Sequence, residues 1–248
     1  LTIISIILYS QKFKKKSDSQ VAKIAKQITV QIEGPNRGSG IIVERDLDTY
    51  TVLTAWHVVE DYTKKEELVV VTFDDKEHIL KPNSINKIGD LDMAILNFES
   101  KNFYKKAKLG NLNKISEGDK VFVGGFPGFS ENYQTRNFRF KIGVLETISK
   151  IFIKDGYQMQ YSNPTVQGMS GGSVLDSWGN LIGVHGRAEK DFPLTSDLGK
   201  LIASGTNEAI PISYYKTFIK GKKVIINNKQ VKSIDDLITK ANSLLGVE

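Results

Sequence analysis

Gly40-Ile-Ile-Val-Glu-Arg-Asp-Leu-Asp-Thr-Tyr-Thr-Val-Leu-Thr-Ala-Trp-His-Val-Val59 is the stretch on which the fold turns. Two β-rich runs, Gly40–Glu44 and Thr49–Thr54, flank the polar quartet Arg45-Asp46-Leu47-Asp48, which is a hairpin signal. Upstream, Gln27–Glu33 alternates apolar and polar, and Gly34-Pro35-Asn36-Arg37-Gly38 is a turn cluster. Downstream, Leu68–Phe73 and His78–Ile88 form a second pair, and Asp92–Phe98 adds a strand. Six such runs predict a small closed barrel. After a linker at Leu109–Glu117 the pattern restarts with Gly118–Gly124, Phe138–Ser149, Lys150–Lys154, Tyr157–Ser162, Gly172–Leu175, Leu181–His185 and Glu208–Ile212. No repeat of fixed period relates the halves, yet their strand counts are similar. The chain is therefore expected to be all-β. The predicted units are an arm at 1–24, barrels at 25–115 and 116–215, and a helical tail at 216–248. Tyr214–Ile219 reads as helical. So does Ser233–Leu245, with Ile234, Leu237, Ile238, Ala241 and Leu244 at helical spacing.

The composition fits that picture. The chain has 248 residues, enough for one large core or two small ones. With 40% hydrophobic and 25% charged residues it lies outside the disordered class. The net charge of +6 is spread along the chain, and no basic stripe interleaved with stacking aromatics predicts nucleic-acid binding. The densest run is Lys12, Lys14, Lys15 and Lys16, read first as a solvated arm and second as a basic patch facing anionic lipid. It follows the apolar stretch Leu1–Leu8, which falls short of the ~20 residues that span a bilayer. Anchor and signal remnant are equal readings of that stretch. Membrane association through it stays open, and the expected location is secreted, periplasmic or membrane-anchored. Cysteine is absent, which excludes disulfides, a thiol nucleophile and zinc–thiolate sites. No metal cluster is visible, and no cofactor is expected.

Three segments carry residue types that chemistry needs. Thr54-Ala55-Trp56-His57-Val58-Val59 puts an imidazole directly after a strand. Asp92-Met93-Ala94-Ile95-Leu96 puts a carboxylate at the head of another. Gly168-Met169-Ser170-Gly171-Gly172 puts a hydroxyl in a glycine-rich turn before a third. A serine hydroxyl is a weak nucleophile at neutral pH and needs an adjacent base. Imidazole titrates near working pH and can take that proton and return it. A buried carboxylate fixes the tautomer and stabilises the imidazolium. Backbone N–H groups of Gly168 and Ser170 would hold the developing oxyanion. Asp90 competes with Asp92, being on the same side of an extended chain, but Asp92 directly precedes the apolar run. His78 receives no role.

These segments, in the order His, Asp, Ser, resemble the signatures of trypsin-like serine proteases, over roughly residues 25–215. The resemblance implies a chymotrypsin-like fold of two six-stranded antiparallel β-barrels, here with a C-terminal helix. It implies a serine endopeptidase with His57, Asp92 and Ser170 as triad and Gly168 and Ser170 as oxyanion hole, acting on a peptide or protein substrate. Gly38-Ser39-Gly40-Ile41-Ile42 resembles bacterial members of the family, including the Htr/Deg proteases.

Pro164 stands where a trypsin-like pocket would have aspartate, so preference for Lys or Arg is not expected. Thr165 and His185 instead resemble the pair with which bacterial glutamyl endopeptidases bind an acidic side chain, implying cleavage after Glu or Asp. A hydroxyl and an imidazole can both donate to a carboxylate. Arg187 is read as solvent-facing rather than as part of that pocket. Met169 replaces the aspartate that pairs with a new N-terminus in digestive members, so that activation switch is not expected; Ser173 replaces a frequent proline. The alternative function is a catalytically silent peptide-binding module on the same fold. A P-loop lacks its Gly-Lys-Ser/Thr ending, and an α/β-hydrolase needs the order Ser, Asp, His.

Overall fold

The computed structural model describes residues 14–63, 67–80, 82–129, 135–195 and 201–227. Thirteen strands and two helices are described, in chain order. Helix α1 (Asp18–Ile28) precedes β1 (Thr29–Glu33), β2 (Gly38–Asp46), β3 (Thr49–Thr54), β4 (Val69–Val71), β5 (Glu77–Ile79), β6 (Asn86–Lys87) and β7 (Ala94–Glu99). Then come β8 (Lys120–Gly125), β9 (Arg139–Ile148), β10 (Met159–Tyr161), β11 (Ser173–Leu175), β12 (Leu181–Thr195), β13 (Leu201–Pro211) and helix α2 (Ile212–Asn227).

The hairpin predicted at residues 40–54 is β2–β3, with Asp46 opposite Thr49 and Leu47 at φ 53° in the turn. It is the middle of a seven-stranded antiparallel sheet ordered β5-β4-β1-β2-β3-β7-β6. β8 to β13 close as a six-stranded barrel ordered β10-β13-β12-β11-β8-β9, with β9 and β10 paired. The mostly-β, two-unit architecture is as expected. The first unit differs in detail, being a curled half-barrel sheet of seven strands. Its outer strands are short: β6 has two residues, both exposed, and β5 has Glu77 and Ile79 exposed. No pairing joins them among the described residues, because so few ladder bonds and so little apolar surface are on offer. Lys150–Lys154, expected as a strand, is instead irregular, leading into a 3-10 turn at Lys154–Gly156.

Three cores follow. Val30, Ile32, Ile42, Tyr50, Val52, Leu96 and Phe98 fill the first unit. Val121, Val123, Leu145, Met159, Tyr161, Val174 and Ile182 fill the barrel. A third lies between the units and joins Ile41, Leu53 and Met93 to Phe122, Leu175, Leu181 and Ile210. Helix α1 supplies Val21, Ala25 and Ile28 to it, one face at spacing 4 and 3. A capping box starts this helix: Ser17 Oγ accepts from Gln20 N–H, and the Gln20 side chain accepts from Ser17 N–H. The residue-24 boundary falls within α1, and the residue-215 boundary falls within α2. Leu1–Leu8 and Ser233–Leu245 lie outside the described residues. Lys14, Lys15 and Lys16 are exposed, and Lys15 meets Asp119 at 3.7 Å and the Trp178 ring at 5.2 Å. Among the described residues no helix is long and apolar enough to cross a membrane.

Candidate active site

His57 sits on a single 3-10 turn, Trp56–Val58, immediately after β3. Asp92 lies two residues before β7. Because β3 and β7 pair with Thr54 opposite Ala94, the ends of the two strands deliver both residues to one place. Asp92 Oδ1 accepts the His57 backbone N–H at 2.8 Å, and Oδ2 accepts from His57 Nδ1 at 2.7 Å. An ionised carboxylate only accepts, so the ring carries its proton on Nδ1 and leaves Nε2 bare. The Asp92 side chain is 14% exposed and that of His57 38%. Asp90 is exposed; the carboxylate that meets His57 is Asp92.

Tyr157 belongs to this group, and sequence reasoning missed it. Its hydroxyl donates to Asp92 Oδ2 from the barrel side. Burial alone would push the Asp92 carboxyl up; the bonds and charge from His57 and the Tyr157 bond outweigh it and hold the group below its usual value. Burial and the Asp92 charge push the Tyr157 phenol far up, so it stays a donor. Gly186 makes this reach feasible: a Cβ there would lie 2.0 Å from Tyr157 Oη. Arg187 lies over the Tyr157 ring at 4.1 Å. It is not simply solvent-facing: its Nε bonds Glu208 at 2.6 Å and its Nη1 stands 3.9 Å from Asp155.

Ser170 sits in a turn built from backbone. Met169 N–H donates to Val166 O, Gly172 N–H to Met169 O, and Gly171 N–H to His185 O at 2.7 Å. Ser170 O accepts from Ser39 N–H at 2.7 Å, tying the turn to β2. Gly171 at φ 82° has the Ser39 carbonyl oxygen 2.0 Å from where its Cβ would be. Gly168 at φ 90° has Gly128 N at 2.3 Å from the same point. Only glycine fits both positions. Among the described residues the N–H groups of Gly168 and Ser170 donate to no protein group. The Ser170 hydroxyl donates to Gly186 O at 2.8 Å. Ser170, Gly168 and His57 line one open cleft of about 830 Å³, together with Asn36, Arg37, Glu60, Phe129 and Gln167.

Thr165 and His185 are both present on the barrel wall, each already engaged. Thr165 Oγ1 donates to Asn207 Oδ1 at 2.5 Å, and Asn207 Nδ2 donates to Asn163 O. His185 is 3% exposed, with Nδ1 at 2.6 Å from the Tyr161 hydroxyl. That hydroxyl spends its one hydrogen on Glu208 O at 3.1 Å. Assigned from this network, Nδ1 of His185 is the donor and Nε2 is bare. Burial pushes His185 down to about 4, with nearby His57 adding to it. The two residues are linked through neighbours, since Tyr161 pairs with Asn207 across β10 and β13. No residue type or spacing marks Tyr157 or Asn207 in the sequence; their roles rest on contacts between distant segments.

Comparison with known proteins agrees with this architecture. A family model described as a trypsin-like peptidase domain matches residues 38–184. The serine protease Do-like HtrB of Bacillus subtilis (strain 168) is 28% identical over 175 residues, 69% of this chain. That match spans 37% of the length of the curated relative. In three dimensions the chain resembles the HtrA-type protease AlgW with a decapeptide, with TM-score 0.64, 18% identity, 83% of this chain covered and 67% of that one.

Proposed function

The chain belongs to the family of trypsin-like peptidase domains, and from that premise we propose that it is a serine endopeptidase working through His57, Asp92 and Ser170. The observation that carries the proposal is the convergence of an Asp92-held imidazole and the Ser170 turn on one cleft, beside two uncommitted backbone N–H groups.

In the proposed cycle Ser170 turns about χ1, exchanging the Gly186 carbonyl for His57 Nε2. The imidazole takes the hydroxyl proton as Oγ attacks the scissile carbonyl. Gly168 N–H and Ser170 N–H hold the oxyanion, each donor worth ~10²–10³ in rate. The imidazolium, stabilised by Asp92, protonates the leaving amine. Water then enters against the acyl-enzyme by the same route in reverse. Tyr157 keeps Asp92 ionised and oriented. The substrate is a peptide or protein, the catalytic units are residues 25–115 and 116–215, and the setting is secreted, periplasmic or membrane-anchored.

A preference for Glu or Asp before the scissile bond is part of the proposal, and it has a physical condition. A neutral His185 with a bare Nε2 offers a carboxylate no donor there. The acidic side chain must bring a proton to the imidazole, and Thr165 must release Asn207 to donate. The preference is thus tied to pH.

The Ser170 bond to Gly186 O favours one rival, a silent peptide-binding module. A fluorophosphonate probe and a proteomic cleavage profile, with wild type beside Ser170→Ala, separate the two. Labelling and cleavage in wild type, both absent in Ser170→Ala, are expected. A folded wild type that takes no probe and cuts nothing overturns the enzyme reading.

A further inference from the structure

Arg136 is a buried cation that the proposed chemistry does not use. It stands just before β9, and its side chain is 1% exposed. All five N–H donors of its guanidinium have acceptors. Nε donates to Pro127 O at 2.9 Å. Nη1 donates to Ile32 O at 3.0 Å and to the Glu33 carboxylate. Nη2 donates to Phe126 O at 2.6 Å and Gly38 O at 2.7 Å, and shares a longer bond with Gly168 O at 3.2 Å. One side chain thus ties three segments together: the β1–β2 corner of the first unit, the loop after β8, and the glycine proposed to donate to the oxyanion.

The direction of the Gly168 N–H depends on those ties. A peptide group is planar and trans, so its C=O and N–H point opposite ways. The carbonyl of Gln167 accepts from Gly128 N–H at 3.0 Å, behind the turn. The Gly168 N–H of the same peptide plane therefore faces away from Gly128. Gly128 directly follows Phe126 and Pro127, the two residues whose carbonyls Arg136 holds. The next plane is held as well: Gly168 O accepts from Ser39 Oγ at 3.0 Å and from Arg136. Gly168 has no Cβ and sits at φ 90°, so its own conformational preferences do not lock either plane. The lock must come from outside.

The geometry points to Arg136 as the positioning residue of the oxyanion hole, fixing the peptide planes on both sides of Gly168 through its fork of backbone carbonyls. This rests on the endopeptidase reading. It goes further by assigning to one distant side chain the pre-organisation on which turnover depends. It also makes the fork shape the essential property: lysine keeps the charge and the Glu33 pair, yet its ammonium is a point donor that cannot serve carbonyls in three segments.

The test is a comparison of wild type, Arg136→Lys and Arg136→Met on a fluorogenic peptide chosen from the wild type's own cleavage profile. The same peptide as an aldehyde, whose adduct with Ser170 puts an oxyanion in the hole, and the cleaved acyl-side product supply two affinities. Thermal melts report the fold. Arg136→Lys is expected to fold but to melt below wild type, because buried carbonyls lose their donors, with kcat at a temperature well below the melt down ~10²-fold and KM nearly unchanged. Aldehyde affinity should fall in step with kcat while product affinity holds. Arg136→Met should show the same split at a lower melting temperature; should it fail to fold, the lysine variant carries the test. A merely structural role would let lysine restore kcat, or would lower all readouts together, and either result overturns the assignment. An active wild type beside a folded, fully active Arg136→Lys sinks this inference alone. A wild type with neither turnover nor aldehyde binding sinks the endopeptidase reading and this inference with it.

Discussion

The two sides of the cleft are held by different kinds of bond. On the first-unit side, a side chain does the holding: Asp92 grips His57 twice, and the Tyr157 hydroxyl grips Asp92. On the barrel side, backbone holds the Ser170 turn, through Ser39 N–H, Val166 O, Met169 O and His185 O and glycines with no room for a Cβ, while the side chains of Ser39 and Arg136 reach the Gly168 carbonyl that leads into it. The difference predicts which changes each half tolerates. The half proposed for acid–base work should be sensitive to changes in polarity at constant shape. The half proposed to carry the nucleophile should be sensitive to changes in shape at constant polarity.

Among the substitutions that test this contrast, the largest loss of turnover at neutral pH is expected from Asp92→Asn. It is isosteric, yet it replaces an acceptor facing Nδ1 with an amide and favours the wrong imidazole tautomer, worth about 10⁴ in kcat. Asp90→Asn, at an exposed carboxylate two residues away, should leave kcat unchanged. Steady-state kinetics on both variants checks the pair, and equal effects would dissolve the contrast. Gly171→Ala is the mirror test, adding one methyl and no polarity. With the Ser39 carbonyl oxygen 2.0 Å from the new Cβ and φ at 82°, the turn must shift. A stability loss of about 3 kcal/mol by thermal or urea melts is expected, with most activity lost alongside it.

Tyr157→Phe sharpens the comparison more gently, since it removes one hydroxyl and keeps the ring under Arg187. A drop of about tenfold in kcat/KM is expected, in line with about 1.5 kcal/mol for one hydrogen bond to a charged acceptor. A second readout is acid stability. The depressed Asp92 value contributes stability that is present above the unfolded carboxyl value and is lost as pH falls through the folded one. Without the Tyr157 donor that depression shrinks, so the variant's melting temperature should depend less steeply on pH below about 4. An unchanged acid slope would mean that Tyr157 does not hold Asp92.

What the sequence discloses follows the same division. His57, Asp92 and Ser170 are legible because each sits at the end of a short apolar run, where strand pattern and residue type coincide within a few positions. Arg136 and Tyr157 are not, because their meaning lies in partners 104 and 65 residues away. The curl of the first unit is illegible for a related reason: whether β5 and β6 pair depends on length and exposure at a seam far apart in sequence. Helix α1 was within reach. Ser17 and Gln20 carry the capping-box spacing, and Val21, Ala25 and Ile28 lie on one helical face, but the neighbouring lysines drew the segment toward an arm.

His185 carries the prediction that is smallest at neutral pH, and it belongs to neither half. It is buried against Tyr161 of β10 and the Glu208 carbonyl of β13, and the nearby His57 adds to its depression. Held at about 4 in the folded chain against about 6.5 unfolded, it takes up its proton first in the unfolded state. Stability should therefore fall as pH drops from about 6.5 to 4, by on the order of 3 kcal/mol, and be insensitive to this group above that window. His185→Gln should flatten that slope in urea melts across the same range. Under the proposed acidic preference the same proton would set specificity. On that proposal an acidic side chain before the scissile bond would raise the His185 value by proximity, so lowering the pH from 7 toward 5 should increase the ratio of kcat/KM for a Glu peptide over its Gln counterpart. The ratio cancels any pH effect on the chemical step that both peptides share. A Glu-over-Gln ratio that is flat with pH, or a slope that survives in His185→Gln, would show that the imidazole does not read the substrate and that the pocket's polarity serves only its own wall.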